Sequence, residues 1–527
     1  MPATAVPSVA SAAPAPAAVV AGRDTLLRSM AWRLGAFGLC LAITVQPFRD
    51  PDVWWHLAVG RLIGSSGIPS SEPFSFGTAE NAWGGQQWLY ERLLALLVDH
   101  GGAGAAMAAL GIVGALAFVV AGLCVRPSER IGGGWVGAAT LIGCLCAGSV
   151  VGVRGQVITV LGTAITLLVV TRWRAGATRA VWALPPLFLV WANLHAGFVT
   201  GLGIVLVAAV VVAFHRRLGG HEVAPLRPLL LALGAGALLT LANPTGPRLY
   251  PYIGATFLNP TLTNSITEWQ SPDFHDTWLR LLEICAVGLV VLWGVSGRRV
   301  DPLDVALGLG TMAATLQAQR NMALFAVVAV PQLAGYGSAA WARARASSGR
   351  RALRPLPGVL ALTAAAAVAA AVVVADVAPA TSAATTARYE AQHEPEAAVG
   401  WVASHLAGQR LLSTYEWGGY LAERLGTGPR VVWIYGESAV FGNARLEEYT
   451  KVLTLQHGWQ DVIAANGMRH AVLPRTAALT SALVATGWST LCRDSGPDAV
   501  VLEAPATPPV PGSGAGSGTD PTLAPAC

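Results

Sequence analysis

Apolar runs of about twenty residues, the length that crosses a bilayer as a helix, recur from residue 25 to residue 378. Eleven are predicted, centred near residues 38, 113, 142, 163, 187, 205, 235, 288, 309, 329 and 367. Most of the breaks between them are short. The first is not: a polar stretch from Asp50 to Gly102 separates the first two runs. Inside it, GQQWLYERLLALLVDH (Gly85 to His100) has helical periodicity with one apolar stripe. It is too short and too polar at its start to span, so a helix lying in the membrane interface is expected. From Tyr389 to Ala504 the pattern changes. Strand-like runs RLLST, RVVWIY, HAVLP and DAVVLE alternate with helical patterns in EPEAAVGWVASHLAG, ARLEEYTKVLTL and TSALVATG, which predicts a small α/β domain. The expected layout is an unstructured segment over 1–24, a transmembrane domain over 25–378, the α/β domain over 385–505, and a disordered Pro/Gly/Ser tail over 506–527.

Composition agrees with a membrane protein. Of the 527 residues 54% are hydrophobic and only 12% charged, against roughly 25% charged in soluble domains. The fold class is therefore mainly α, a polytopic helix bundle. Lys451 is the only lysine, so the net charge of +5 is an arginine charge. It is better read as a topology signal than as a nucleic-acid footprint. Arginines cluster at Arg23, Arg28 and Arg33, at Arg126 and Arg130, and at Arg172, Arg174 and Arg179. They recur at Arg216 and Arg217, at Arg298 and Arg299, and from Arg343 to Arg354. All fall on one side if eleven spans alternate from a cytoplasmic N-terminus, which places the α/β domain outside. The N-terminal segment lacks a basic n-region and no small-residue cleavage site follows the first run, so that run is expected to be retained as a helix.

The opposite side then collects nearly every unusual polar residue of the membrane part. It receives DPDVWWHL (Asp50 to Leu57), VRGQ (Val153 to Gln156), NLH (Asn193 to His195), Asn243 to Phe274, and QAQRN (Gln317 to Asn321). Loops on one face of a bundle converge on one cavity, and ionisable groups at that depth are functional candidates. DPDVWWHL has a plain role available: Trp54 and Trp55 at the headgroup level, with an aspartate capping a helix. Its chemical role would be a carboxylate, Asp50 or Asp52, facing the cavity as a base. His56, one helical turn beyond Asp52, would orient it or bind phosphate. Of the seven cysteines, five lie in apolar runs as packing residues, while Cys492 and Cys527 are free to pair outside the cell.

An acidic pair opening the first outer loop resembles the GT-C glycosyltransferases, polytopic enzymes that use polyprenyl-phosphate-linked sugars. The chain is most similar to bacterial GT-C-like membrane proteins through DPDVWWHLAVGRLI, PFSF, WLYERL, VRGQ, WANLHAGFVTGL, NPTGPRLY, ITEWQSP, QRNMALFAV and STYEWGGYLAERL. The resemblance covers most of residues 25–505. It implies an integral inner-membrane enzyme moving a sugar from a polyprenyl-phosphate carrier to a cell-envelope glycan, lipid or protein acceptor, with inversion. Asp50 or Asp52 would be catalytic. Arg320, Arg154, Arg248 and His56 would bind the donor phosphate, and Trp54, Trp55, Asn193, His195 and Glu268 would line the pocket. ITEWQSP would form a mobile lid.

VRGQ carries no second acid where several members of the superfamily have one. A divalent cation is therefore admitted as a cofactor but not required. The tail also reads VVWIYGESAVFG where similar proteins have an Asp-Gly-Arg-like turn. A catalytically inactive GT-C-like scaffold, or a lipid-linked glycan ligase or polymerase built on outer arginine and histidine, remain the alternatives. A transporter is disfavoured: no internal repeat is visible, and the polar residues gather at one face rather than mid-span.

Overall fold

The computed structural model describes residues 16–129, 131–219, 224–257, 259–348, 356–426, 428–506 and 524–527. Arg130, residues 349–354 of the last arginine run, and most of both terminal segments lie outside these. All eleven expected centres fall in helices. In chain order these and their neighbours are α1 (Pro16–Thr44), α2 (Asp52–Ser66), α3 (Trp88–Gly122), α4 (Gly133–Cys146), α5 (Gln156–Arg174), α6 (Leu184–Leu194) and α7 (Phe198–Arg217). They continue as α8 (Leu226–Leu239), α9 (Leu249–Phe257), α10 (Pro260–Ser265), α11 (Thr277–Val295), α12 (Pro302–Gln317), α13 (Met322–Ser348) and α14 (Gly358–Val372). Among the described residues, seven helical segments are long and apolar enough to cross a membrane: those of α1, α3, α5, α7, α11, α13 and α14. Helices α4 and α8 are shorter and apolar, and α6 and α12 have 11 and 16 residues. This is a multi-pass membrane protein.

Local chemistry sets several of the ends. Asp276 and Asp301 cap α11 and α12 by accepting the backbone N–H of Trp278 and Leu303. The last turns of α5 and α7 carry Arg172, Arg174, His215, Arg216 and Arg217, the charge that a helix C-terminus favours. Helix α3 contains a break at Gly102, whose φ of 74° only glycine adopts easily. The break separates the interface helix expected over Gly85 to His100 from the span that follows. Close approach of α1 and α14 depends on small residues, because a Cβ at Gly38 would stand 2.7 Å from the Ala369 Cα and Cβ.

Two charged clusters occupy opposite ends of the bundle. Arg154 precedes α5 and Arg174 ends it; Asp301 caps the start of α12, and Arg320 follows its end. The 19 residues of α5 rise about 28 Å at 1.5 Å each, close to the hydrocarbon thickness of about 30 Å. At one end Arg126 pairs with Asp301 and Asp304, Arg174 with Asp301, and Arg298 with Glu129. Arg126, Glu129, Arg174, Asp301 and Asp304 line a cavity of about 950 Å³. The other end holds the residues expected on the outer face.

The C-terminal part carries a four-stranded sheet: β1 (Leu411–Ser413), β2 (His470–Pro474), β3 (Ser489–Asp494) and β4 (Ala499–Glu503), in the order β1-β2-β4-β3. The β1–β2 pair is parallel and the others antiparallel. RVVWIY, expected as a strand, forms only single bridges from Val432 to Leu411 and to Ser75. STLCRD, not expected, forms β3; its alternation of buried and accessible positions was concealed by the Arg and Asp at its end. The first loop is part of this domain in space. Phe76 donates its N–H to the Val432 carbonyl, Ser75 Oγ donates to the Trp433 carbonyl, and Tyr435 donates its hydroxyl to buried Glu72 at 2.7 Å. Cys492 and Cys527 form a disulfide, and the backbone of Pro525 to Cys527 pairs with Arg493. These contacts tie residues 524–527 to β3; most of the tail expected over 506–527 lies outside the described residues. Helix α1 begins at Pro16, inside the segment expected to lack structure.

Gly38→Val is expected to lower thermal stability in detergent by about 1–3 kcal/mol through overpacking against α14. Gly234→Val, where a Cβ meets nothing within 4 Å, should leave the unfolding midpoint unchanged.

Candidate functional site

The expected outer-face residues meet beneath the C-terminal domain. Arg154 stands at the centre, on the tight turn before α5, where its N–H donates to the Gly152 carbonyl. Its Nε lies 2.5 Å from Asp50 Oδ2 and its Nη2 donates to Glu268 Oε2 at 2.7 Å. The other Glu268 oxygen is 3.2 Å from Arg320 Nη1, and the Arg320 guanidinium lies over the Trp269 ring at 4.2 Å. Gln156 fixes the arrangement by donating to the Arg320 carbonyl. Gln319 holds the 267–270 segment through its backbone N–H to the Gln270 carbonyl and its side chain to the Thr267 carbonyl. Four chain segments far apart in sequence therefore contribute one alternating row: Asp50, Arg154, Glu268, Arg320.

Asp52 starts α2, where the helix N-terminus favours an acid. Its N–H donates to Asp50 Oδ1 at 3.0 Å. The tail turn at Gly436 closes over it, and a Cβ at Gly436 would fall on Asp52 Oδ1 and crowd Trp55 Nε1. Burial raises the Asp52 carboxyl to about 8; the charges of Asp50 and Glu268 push the same way, and the Trp55 indole and Arg154 offset only part. For Glu268, burial is outweighed by Arg320 and Arg154, which hold it below the usual range.

His195 follows α6. Its Nδ1 accepts the Gly197 N–H at 3.1 Å and the Thr159 hydroxyl at 2.7 Å, while Trp191 Nε1 donates to that hydroxyl. The neutral ring therefore carries its proton on Nε2. Burial, with the charges of Arg320 and Arg154, lowers His195 to about 3, so the ring is neutral at physiological pH. His56 is buried and kept neutral chiefly by burial, with the Arg154 charge acting the same way. Its Nδ1 lies 3.4 Å from Glu91 rather than toward Asp52.

The other expected residues are divided between the cleft and the surrounding packing. Trp54 and Trp55 are buried at 5% and 2% exposure, so neither forms a headgroup collar. Trp54 donates to Glu394 and packs edge-on against Tyr420, tying α2 to the C-terminal domain. Trp55 packs against the His56 ring at a tilt of 36°. Asn193 uses its side chain structurally: Nδ2 donates to the Leu189 and Ala242 carbonyls, and Oδ1 accepts from Trp88 Nε1. Arg248 is exposed at the start of α9, away from the row.

Sequence reading passed over Glu91 and Glu437 as site residues. Tyr415 donates its hydroxyl to the Gly436 carbonyl and fixes the turn over Asp52. Glu437 accepts from Tyr252 at 2.7 Å, and burial raises it to about 7. The Gly-Glu pair in IYGES was visible, but nothing in it specified contact with the first loop.

Neither a protein-family model nor a curated protein matches the sequence. Solved structures do match. The oligosaccharyltransferase AglB from Archaeoglobus fulgidus, in complex with an inhibitory peptide and a dolichol-phosphate, aligns with a TM-score of 0.50 at 10% identity, over 91% of this chain and 75% of that one. ArnT from Cupriavidus metallidurans, bound to undecaprenyl phosphate, aligns at 0.45 and 17% identity over 92% and 98%. The fold is GT-C-like. The likeness to AglB agrees with the resemblance seen in the sequence. At this identity it concerns architecture, a helix bundle with a C-terminal domain above it, and assigns no residue.

A buried carboxyl with a raised pKa costs stability once it must ionise. Folded Asp52 binds its proton more tightly than unfolded Asp52, so its contribution falls as pH rises from about 4 to about 8. Asp52→Asn is expected to unfold at a higher temperature than wild type at pH 8. That advantage should shrink toward pH 4, as read by thermal scans across this range.

Proposed function

We propose that the chain is an integral membrane glycosyltransferase. It moves a sugar from a polyprenyl-phosphate carrier to a hydroxyl-bearing acceptor on the extracytoplasmic face of the bacterial inner membrane. The observation that carries this reading is the row Asp50–Arg154–Glu268–Arg320 with Asp52 beside it: a carboxylate pair adjoining two guanidinium groups at one end of a GT-C-like bundle. Sugar transfer from a phosphate needs both. The acceptor oxygen attacks the anomeric carbon from the face opposite the phosphate, which gives inversion. The carbon–oxygen bond to the phosphate breaks with its electron pair, and a base takes the acceptor proton.

Asp52 is the base. An efficient base has a pKa near the working pH, and Asp52, raised to about 8, satisfies that condition. Asp50 is committed to Arg154. The departing phosphate gains charge, which Arg154 and Arg320 offset with forked donors. His195 offers its Nε2–H to the same anion. The acceptor class is a glycan, lipid or protein of the cell envelope, approaching beneath the C-terminal domain.

Purified protein in nanodiscs, supplied with radiolabelled polyprenyl-phosphate sugars and an envelope extract, tests this. Wild type should transfer label, and Asp52→Asn should lose about 10²- to 10⁴-fold in rate while unfolding at higher temperature. Asp50→Asn should lose activity without that gain, because it frees Arg154. Retained transfer in Asp52→Asn would refute the assignment of the base.

A further inference from the structure

Donor phosphates are commonly met by divalent ions. Magnesium or manganese takes oxygen ligands in near-octahedral order at about 2.0–2.2 Å, several of them carboxylate oxygens aimed at one point. Here the carboxylate oxygens are aimed at a side chain. Asp50 Oδ2 and Glu268 Oε2 both turn to Arg154, at 2.5 and 2.7 Å. Glu268 Oε1 turns to Arg320 and Asp50 Oδ1 to the Asp52 N–H. Asp52 lies under the Gly436 turn. Among the described residues no set of three His, Cys, Asp or Glu side chains is arranged to hold a metal ion. The residues do not fit a divalent cation.

We infer that the Arg154 guanidinium stands in place of a divalent ion, bridging Asp50 and Glu268 as a tethered cation, so that transfer proceeds without metal. This rests on the transferase reading above. The segment VRGQ supplies this cation and carries no acid of its own. A guanidinium is suited to that place: it is planar, stays charged, and can span two carboxylates while offering further N–H groups to a phosphate. Its seat is rigid. Gly155 lies against the His195 ring, and Gln156 ties the same turn to the Arg320 backbone. A second cation entering between Arg154 and Arg320 would meet two positive charges and two carboxylates already paired. Burial alone would weaken the guanidinium charge, but Asp50 and Glu268 outweigh it.

Mn²⁺ titration followed by electron paramagnetic resonance reads this on full-length protein in nanodiscs, independently of activity. Wild type should leave Mn²⁺ free. Arg154→Met unpairs the carboxylates and should gain one site per chain, at least about tenfold tighter than any wild-type binding. Adding Glu268→Gln to that variant should abolish the site. Where transfer is detected, EDTA should leave its rate unchanged. A wild-type Mn²⁺ site that Asp50→Asn or Glu268→Gln removes would overturn the inference, as would transfer that EDTA stops and Mn²⁺ restores. An Arg154→Met chain that folds and gains no site would overturn it too. The wild-type titration needs no variant, so misfolding of Arg154→Met does not shield the inference. Absence of transfer from every donor would sink the glycosyltransferase reading and leave the Mn²⁺ result to stand separately.

Discussion

Charge neutralisation at Arg154 is the constraint on which the rest of the outer site depends. A guanidinium at this depth requires carboxylates, and Asp50 and Glu268 reach it from loops more than two hundred residues apart in sequence. Once they are spent on Arg154, the remaining acid has little compensation. Asp52 feels two neighbouring carboxylates and the loss of water, and its proton is held correspondingly tightly. Arg320 then completes the row and, through its backbone, ties α13 to the turn before α5. Breaking a buried pair costs more than the pair contributes, because one charge is left uncompensated. The row is therefore a geometric constraint as much as a chemical one: it fixes where four loops stand.

The C-terminal domain is the lid of this arrangement. PFSF runs beside Val432, Tyr435 reaches Glu72, and Gly436 passes so close to Asp52 that a side chain there would collide. Trp54, from the same helix that carries Asp52, anchors in the domain through Glu394 and Tyr420. The first loop and the domain consequently share one core. A bundle separated from its domain would lose the surface that desolvates Asp52, and with it the reason for the raised pKa.

The far end of the bundle mirrors this logic with different chemistry. Arg126 and Arg174 there are matched by Glu129, Asp301 and Asp304 around a large cavity, and Arg298 joins them through Glu129. The two networks sit at opposite ends of α5 and α12, as the arginine pattern of the sequence required. Helices held by charge pairs at both ends have little freedom to slide, which suits a site whose parts come from separate loops.

Much of this was legible from the sequence because lipid is an unforgiving solvent. Apolar runs must become helices, since no water is present to satisfy an exposed backbone, and all eleven centres did. Arginine placement sorted the loops into two groups, and the structure brings Asp50, Arg154, His195, Glu268 and Arg320 together from one of them. Short-range rules also placed the helix before Gly102, β1, β2 and β4. The tertiary structure alone decided what depends on distance between remote segments. It turned His56 to Glu91, used Asn193 as a brace, buried both tryptophans under the C-terminal domain, and left Arg248 in the open. It set RVVWIY beside the first loop instead of within the sheet. Above all, it paired Asp50 rather than Asp52 with Arg154. Residue type and spacing determine which groups stand at one depth; which of two aspartates two residues apart meets a cation depends on packing at ångström scale, and only the folded chain specifies that.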